Sequence, residues 1–199
     1  MRVFSYKIVR DYGFAPNPFK GVCTLATCKP QIREQAVPGD LVLGCGSSKL
    51  QLIGKAVFAM RVSEKLTFSE YWSDARFEVK KPIFTSSYRR AYGDNIYHRL
   101  NGEWIQQDSH HSFEGGVVNA ANMTRDTSAD AVLIGDDFVY WGAQAIDIPR
   151  ELRDFNGDDL YPSGRSHRSV FESDFLQAIN AWFQGIQNRG IQGRPKSWR

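Results

Sequence analysis

Apolar and polar positions alternate loosely from Arg2 to Arg10, with Val3, Tyr6 and Ile8 among polar neighbours, the pattern of a strand with room for a bulge. The next stretch, YGFAPNPFKGVCTLATCKPQIR from Tyr12 to Arg33, follows no period, yet holds three prolines and six large apolar side chains. A loop of that composition is either a disordered arm or an ordered contact surface. Its apolar residues Phe14, Phe19, Val22, Leu25 and Ile32 need a surface to bury against, so it is expected to be ordered and to wall a ligand cleft.

Beyond a short helical turn at Ile32–Val37, Pro38-Gly39-Asp40 leads into two apolar runs separated by Gly46, Ser47, Ser48 and Lys49, a β-hairpin signal. Leu66, Phe68, Tyr71, Trp72 and Ala75 fall at helical spacing, with Ser63 as the expected cap. Asn101-Gly102 between two short strand patterns predicts a second hairpin, and Asp136-Asp137 separates two further apolar pieces. Val170–Asn188 carries the clearest amphipathic stripe, and the tail 190–199 is expected to fray. Short strands with one inserted helix and a C-terminal helix predict an α+β fold. The expected form is a small curved antiparallel sheet or a partly closed barrel, in a single domain over 1–199. A doubly wound parallel sheet fits poorly, because the middle of the chain offers only one helix pattern.

Composition narrows the class. A chain of 199 residues with 42% hydrophobic content buries its own core, and no apolar run spans a bilayer, so no membrane partner is expected. Met1 leads directly into a strand pattern with no leader-like segment, and three cysteines form no disulfide framework, which points to the cytoplasm and reduced thiols. A net charge of +3 permits nucleic acid without requiring it.

Several residues invite chemistry. Asn17 lies between two prolines that set the backbone, so its amide either closes a turn or is held out to pair with a base edge. Lys29 and Arg33, with Thr24, can hold a phosphate or be a solvated face. Lys80, Lys81, Arg89 and Arg90 are further candidate contacts to phosphates, with the Arg194, Lys196 and Arg199 tail. Rings such as Tyr71, Tyr97 and Trp141 can stack on a base, although most of the aromatic residues are expected in the core, and at least one of Tyr140 and Trp141 is expected to face outward or line a cleft. Cys23 and Cys28 are spaced C-x4-C, which does not build a tetrahedral centre, so no metal and no cofactor are expected. Small buried thiols are the commoner fate of cysteine, and with Lys29 or Arg33 nearby the other reading makes Cys23 or Cys28 a candidate nucleophile, Cys23 foremost, and Asp94 a candidate acid or base. Asp108, His110, His111 and Glu114 in DSHHSFEGG read more simply as a polar surface loop.

Five segments carry a family resemblance: GFAPNPF, CTLATCKPQIR, GDLVLGCGS, YGDNIY at Tyr92–Tyr97, and VLIGDDFVYWG. Together they resemble the nucleotide modification-associated domain 2 family of bacterial and phage proteins, and the likeness runs over most of the chain. More loosely, GDLVLGCGSSKLQLIGKAVF is similar to the strand pair of PUA-like domains of the EVE and ASCH kind, small barrels that hold a nucleotide or modified base. The resemblance implies a domain that binds a nucleotide, a modified base or nucleic acid. The alternative it leaves open is an enzyme of base or nucleotide modification that uses Cys23 or an Asp/His acid-base group.

Overall fold

The computed structural model describes residues 1–164 and 166–198. Its strands are β1 (Val3–Ile8), β2 (Cys23–Leu25), β3 (Leu41–Gly46), β4 (Lys55–Arg61), β5 (Glu64–Leu66), β6 (Tyr97–Leu100), β7 (Glu103–Gln106), β8 (Val132–Gly135), β9 (Phe138–Tyr140), β10 (Ile146–Asp147), β11 (His167–Arg168) and β12 (Gly190–Ile191). The α-helices are α1 (Pro30–Gln35), α2 (Phe68–Ser73), α3 (Tyr88–Ala91), α4 (Ala120–Thr127), α5 (Arg150–Arg153) and α6 (Ser173–Gly185). The fold is α+β with open sheets, and no barrel closes among the described residues. None of the described helices is long and apolar enough to cross a membrane.

The chain divides into two compact units. The first comprises Met1–Tyr12, Ala36–Ser63 and Gly135–Arg199, and the second Gly13–Gln35 and Glu64–Ile134. In the first unit the sheet order is β11-β1-β3-β4-β9-β12, with β10 against β4. The predicted hairpin is β3–β4, in register Val42↔Met60, with an irregularity at Gly44/Cys45 where a side chain on Gly44 would run into the Phe58 ring. The sheet is not purely antiparallel, however. β1 runs parallel to β3, and β12 parallel to β9. A parallel pair needs a long connection, and the irregular segment after β1 supplies it.

One face of this sheet packs Val3, Leu43, Val139 and Trp141 against Phe175, Ile179 and Phe183 of α6. The other face, with Phe4, Tyr6, Phe58 and Tyr140, is buried too, so neither Tyr140 nor Trp141 faces outward as one of the two expected outcomes had it. That expectation assumed a sheet covered on one face only. The tail does not fray either: Gln192 donates to Tyr140 O, Lys196 N–H to Asp11 Oδ2, and Trp198 Nε1 to Tyr12 O. Arg199 lies outside the described residues.

The second unit holds a three-stranded sheet, β2-β8-β5, and the hairpin β6–β7. Asn101 and Gly102, at φ of 52° and 87°, make the left-handed turn that the dipeptide predicts. β8 and β9, which flank Asp136-Asp137, are not hairpin partners but enter different sheets. Helix α2 starts at Phe68 rather than near Ser63. Glu64–Leu66 pairs with β8 instead, and Thr67 and Glu70 form a reciprocal capping box. Helix α4 is absent from the sequence expectation, and it carries a residue on which the site depends.

Candidate functional site

The opening loop is ordered because it is pinned from within the second unit. Asn17 and Thr24 exchange backbone hydrogen bonds at 2.8 and 2.9 Å. Beneath them Lys80 Nζ donates to Asn17 O and Oδ1, each at 3.0 Å, to Val22 O at 2.9 Å and to Thr24 Oγ1 at 3.2 Å. Asp94 closes the network, accepting from Thr24 Oγ1 at 2.6 Å and Tyr71 OH at 2.9 Å. Gly93 allows the approach, since a side chain there would collide with Lys80 O and Pro82 N. Burial lowers the Lys80 pKa to about 8 and raises that of Asp94, with their mutual attraction opposing both shifts.

This network removes several expected site residues from solvent. Asn17, Thr24, Tyr71, Lys80 and Asp94 are all 2% exposed or less, and the Asn17 amide is spent on Tyr92 O and Phe19 N–H. Cys23 is fully buried, and burial raises its pKa to about 12, so the thiol is held protonated and out of reach. The expectation of Cys23 as nucleophile and Asp94 as acid or base therefore gives way. Both are interior groups, and each sequence signal is explained by folding the loop. Arg33 is likewise no phosphate contact: it is fully buried. Trp141 stacks on Trp182 in the core of the first unit. Arg89 stays exposed with its guanidinium over Phe19, Arg90 is half-buried, and Lys81 pairs with Glu78 while lying over Trp72.

A different constellation lies at the turn between β2 and α1. Cys28 is half-buried and sits there with a left-handed φ of 57°, followed by Lys29 at 43°. Two consecutive non-glycine residues in that region hold local strain, which the surrounding contacts must maintain. Those contacts are visible. The Cys28 N–H donates to Asp126 Oδ1 at 3.0 Å. Arg33 donates from Nε to Cys28 O at 2.8 Å and from Nη1 to Ala129 O and Ala131 O at 2.8 and 2.5 Å. Its Nη2 donates to the Asp126 carbonyl. The guanidinium thus ties the cysteine turn to the end of α4.

Opposite the turn, His111 links the two acidic partners. Its Nε2 is 3.9 Å from Cys28 Sγ, and its Nδ1 is 2.7 Å from Asp126 Oδ2. Tyr97 OH also donates to Asp126 Oδ2, at 3.1 Å. Gln106 and Asn122 both donate to His111 O, and the ring packs on Phe14, with centroids 4.7 Å apart. His110 lies between Phe14 and Tyr92. The pair in DSHHSFEGG is therefore not simply a polar loop, since His111 is built into the interior edge of the unit. Asp126 was not read as a site residue from the sequence. Its one local signal is the Asn119 cap that starts α4, whose side chain accepts from Asn122 N–H.

Burial of His111 works against its charge, but the hydrogen bonds and negative charges of Asp126 and Cys28 outweigh it and raise its pKa to about 9. Burial works against Asp126 too, and His111, Arg125 and the Cys28 N–H overcome it and hold the carboxyl below its ordinary value. A positively charged imidazole donates from both nitrogens, which casts the Cys28 sulfur as the acceptor. Cys28 Sγ, a His111 nitrogen and an Asp126 oxygen also lie within 4.8 Å of one another, so donors of the types that hold a metal ion are brought together. A tetrahedral centre wants its S and N donors about 3.6 Å apart, all facing one point. Here the imidazole stands between carboxylate and sulfur, the order of a proton relay.

The raised pKa makes a pH prediction. Stability due to charged His111 is complete below its ordinary value of 6.5 and is lost as pH rises towards about 9, a loss of about 3 kcal/mol. Lys80, with its lowered pKa, contributes with the opposite sign above about pH 8, but equally in wild type and variant. The melting temperature of wild type should fall from pH 6.5 to 9 relative to His111→Asn. Parallel curves would contradict it.

Set against known proteins, the chain matches the family model described as nucleotide modification associated domain 2 over residues 1–199. No curated protein and no solved structure matches it.

Proposed function

The chain belongs to the nucleotide modification associated domain 2 family, and on that premise we propose that it is a thiol-dependent enzyme acting on a nucleotide or nucleobase. Cys28 is the nucleophile, His111 moves the proton and Asp126 orients and stabilises the imidazolium. The observation that carries this reading is the continuous path Sγ–Nε2–Nδ1–Oδ2 at 3.9 and 2.7 Å, ending on a half-buried cysteine while Cys23 and Cys45 are buried.

The chemistry follows from the order of the groups. The Cys28 thiolate forms a bond to an electrophilic carbon of the substrate, and the proton on His111 Nε2 passes to the departing group. In the second half, His111 takes a proton from water or another acceptor, which attacks the adduct and releases the thiolate. Asp126, already supported by Tyr97 and the Cys28 N–H, keeps the ring aligned through both halves. The competing reading, a recognition module whose opening loop reads a base edge, needs Asn17, Thr24 and Arg33 at the surface, and they are interior.

Mapping of modification by iodoacetamide tests the proposal. The folded protein should be alkylated at Cys28, with Cys23 and Cys45 silent until denaturant is added, and the product should be inactive on a panel of nucleotides and modified bases. A Cys28 that stays unmodified in the folded protein would refute it. So would one zinc per chain that survives dialysis and needs both Cys28 and His111, which would make the cluster a metal centre.

A further inference from the structure

The loop from Lys80 to Asn95 is closed at its base, where Asn95 N–H donates to Lys80 O at 3.2 Å and Ile83 N–H to Arg90 O at 2.9 Å. Lys80 and Asp94, near its two ends, are buried in the polar network. Beyond that base the apolar side chains turn outward: Phe84 is 52% exposed, Tyr88 57% and Ile83 40%. No acidic residue stands between Glu78 and Asp94, whereas the same stretch holds Lys80, Lys81, Arg89 and Arg90. We propose that the outer side of this loop, with Phe84, Tyr88, Arg89 and Arg90, binds a single-stranded nucleic acid and presents one of its bases to Cys28. The inference rests on the reading of Cys28 as the nucleophile and names its substrate, a base within a strand rather than a free nucleotide.

The charges of the loop divide into committed and open ones. Lys80 is spent inside, and Lys81 pairs with Glu78 while lying over Trp72. Asp94 is held by Thr24 and Tyr71. Arg89 is exposed, its guanidinium 5.6 Å from the Phe19 ring centroid, and Arg90 follows it on the single turn of α3. Neither has a carboxylate within ion-pair distance among the described residues. Two such guanidinium groups favour an anion whose oxygens they can meet in pairs, as phosphate does. Charge alone would suit an acidic peptide equally, and the rings decide between the two. Flat faces at Phe84 and Tyr88 next to guanidinium groups match stacked bases with phosphates between them. Contacts of rings also lead inward from the loop. Tyr88 and Tyr92 have centroids 6.3 Å apart, Tyr92 and His110 5.1 Å, and His110 and His111 6.0 Å, and His111 reaches Cys28. All of these residues belong to the second unit.

Fluorescence anisotropy of a labelled single strand of about twelve nucleotides, as DNA and as RNA, measures the binding. At least one of the two should bind more tightly than a nucleoside monophosphate and than a duplex of the same sequence, whose bases are closed to stacking. Phe84→Ala/Tyr88→Ala should weaken binding about tenfold or more. Arg89→Gln/Arg90→Gln should weaken it and lower the slope of log K against log salt by about 1.4, two contacts at about 0.7 each. Arg99→Gln, which removes an exposed guanidinium from the β6–β7 hairpin, should change neither quantity. The strand should slow alkylation of Cys28 by iodoacetamide in wild type and lose that effect in the arginine double variant. A melting curve for each variant verifies that it folds. Equal binding of the monophosphate or the duplex, unchanged affinity in either double variant, or an equal loss in Arg99→Gln overturns the surface. So does a polyglutamate peptide that competes as well as the strand and ignores the ring substitutions, which would make the partner an acidic protein segment. A strand that binds through these residues yet leaves Cys28 alkylated at its free rate overturns the path to the sulfur. A Cys28 silent to iodoacetamide in the absence of any strand overturns the nucleophile reading instead, while strand binding stands.

Discussion

Cys28→Ala should lower turnover by about 10³-fold or more while the protein still folds, because the variant deletes the atom that forms the covalent bond and leaves the scaffold in place. The contrast with Cys23→Ala makes the result specific. Cys23 is a fully buried thiol, so its loss should cost stability of about 1 kcal/mol and leave turnover near wild type. His111→Asn should cost about 10²–10⁴-fold, and its combination with Cys28→Ala should be no worse than Cys28→Ala alone, since the two residues act as one unit. Steady-state rates on the converted substrate, with melting curves for each variant, decide the matter. If Cys28→Ala keeps its rate, or if Cys23→Ala loses it in a folded protein, sulfur chemistry at the turn is excluded.

The second large effect falls on stability. Arg33→Leu should cost about 4 kcal/mol or more, because it strands carbonyls of Cys28, Asp126, Ala129 and Ala131 that lose their donor, each worth about 1–3 kcal/mol when buried without a partner. For a chain of this size that corresponds to a melting temperature lower by about 10 °C. Arg33→Lys keeps the charge but not the planar fork, so it should recover only part of the loss. Arg33 also sets the position of Cys28, so in Arg33→Lys, which is expected to fold, the alkylation rate at Cys28 should move while Cys23 stays silent. A melting temperature for Arg33→Leu within about 2 °C of wild type would show that the clamp contributes little.

The resemblance segments acquire physical roles once the fold is known. In YGDNIY, Tyr92 O accepts from Asn17, Asp94 anchors Thr24 and Tyr71, Asn95 donates to Tyr71 O and Phe77 O, and Tyr97 supports Asp126. In CTLATCKPQIR, Thr24 pins the loop, Cys28 carries the sulfur and Arg33 clamps its turn. In GFAPNPF, Phe14 packs on both histidines and Asn17 is the keystone of the polar network. These roles are structural support, so residues that look like ligand contacts by type serve to pin the opening loop and the turn at Cys28.

What short-range rules control was legible in the chain. The β3–β4 hairpin, the Asn101-Gly102 turn and α6 were legible because a period or a turn dipeptide lies within a few residues, and the family was legible from its unusual local segments. Helix α4 was not, since its predominantly polar residues AANMTRDT carry no apolar stripe, and with it Asp126 was missed. Nor could the sequence say which polar groups go inside. Asn17, Thr24, Arg33, Lys80 and Asp94 read as surface chemistry by type, and the cost of burying them is met only by partners that the fold brings from as far as 98 residues away. Where each thiol lies was left to the packing: Cys23 is an interior thiol and Cys28 a half-buried one. The two differ by five positions in the chain, and only the folded packing gives Cys28 a histidine, a carboxylate behind it and a strained turn at the edge of solvent.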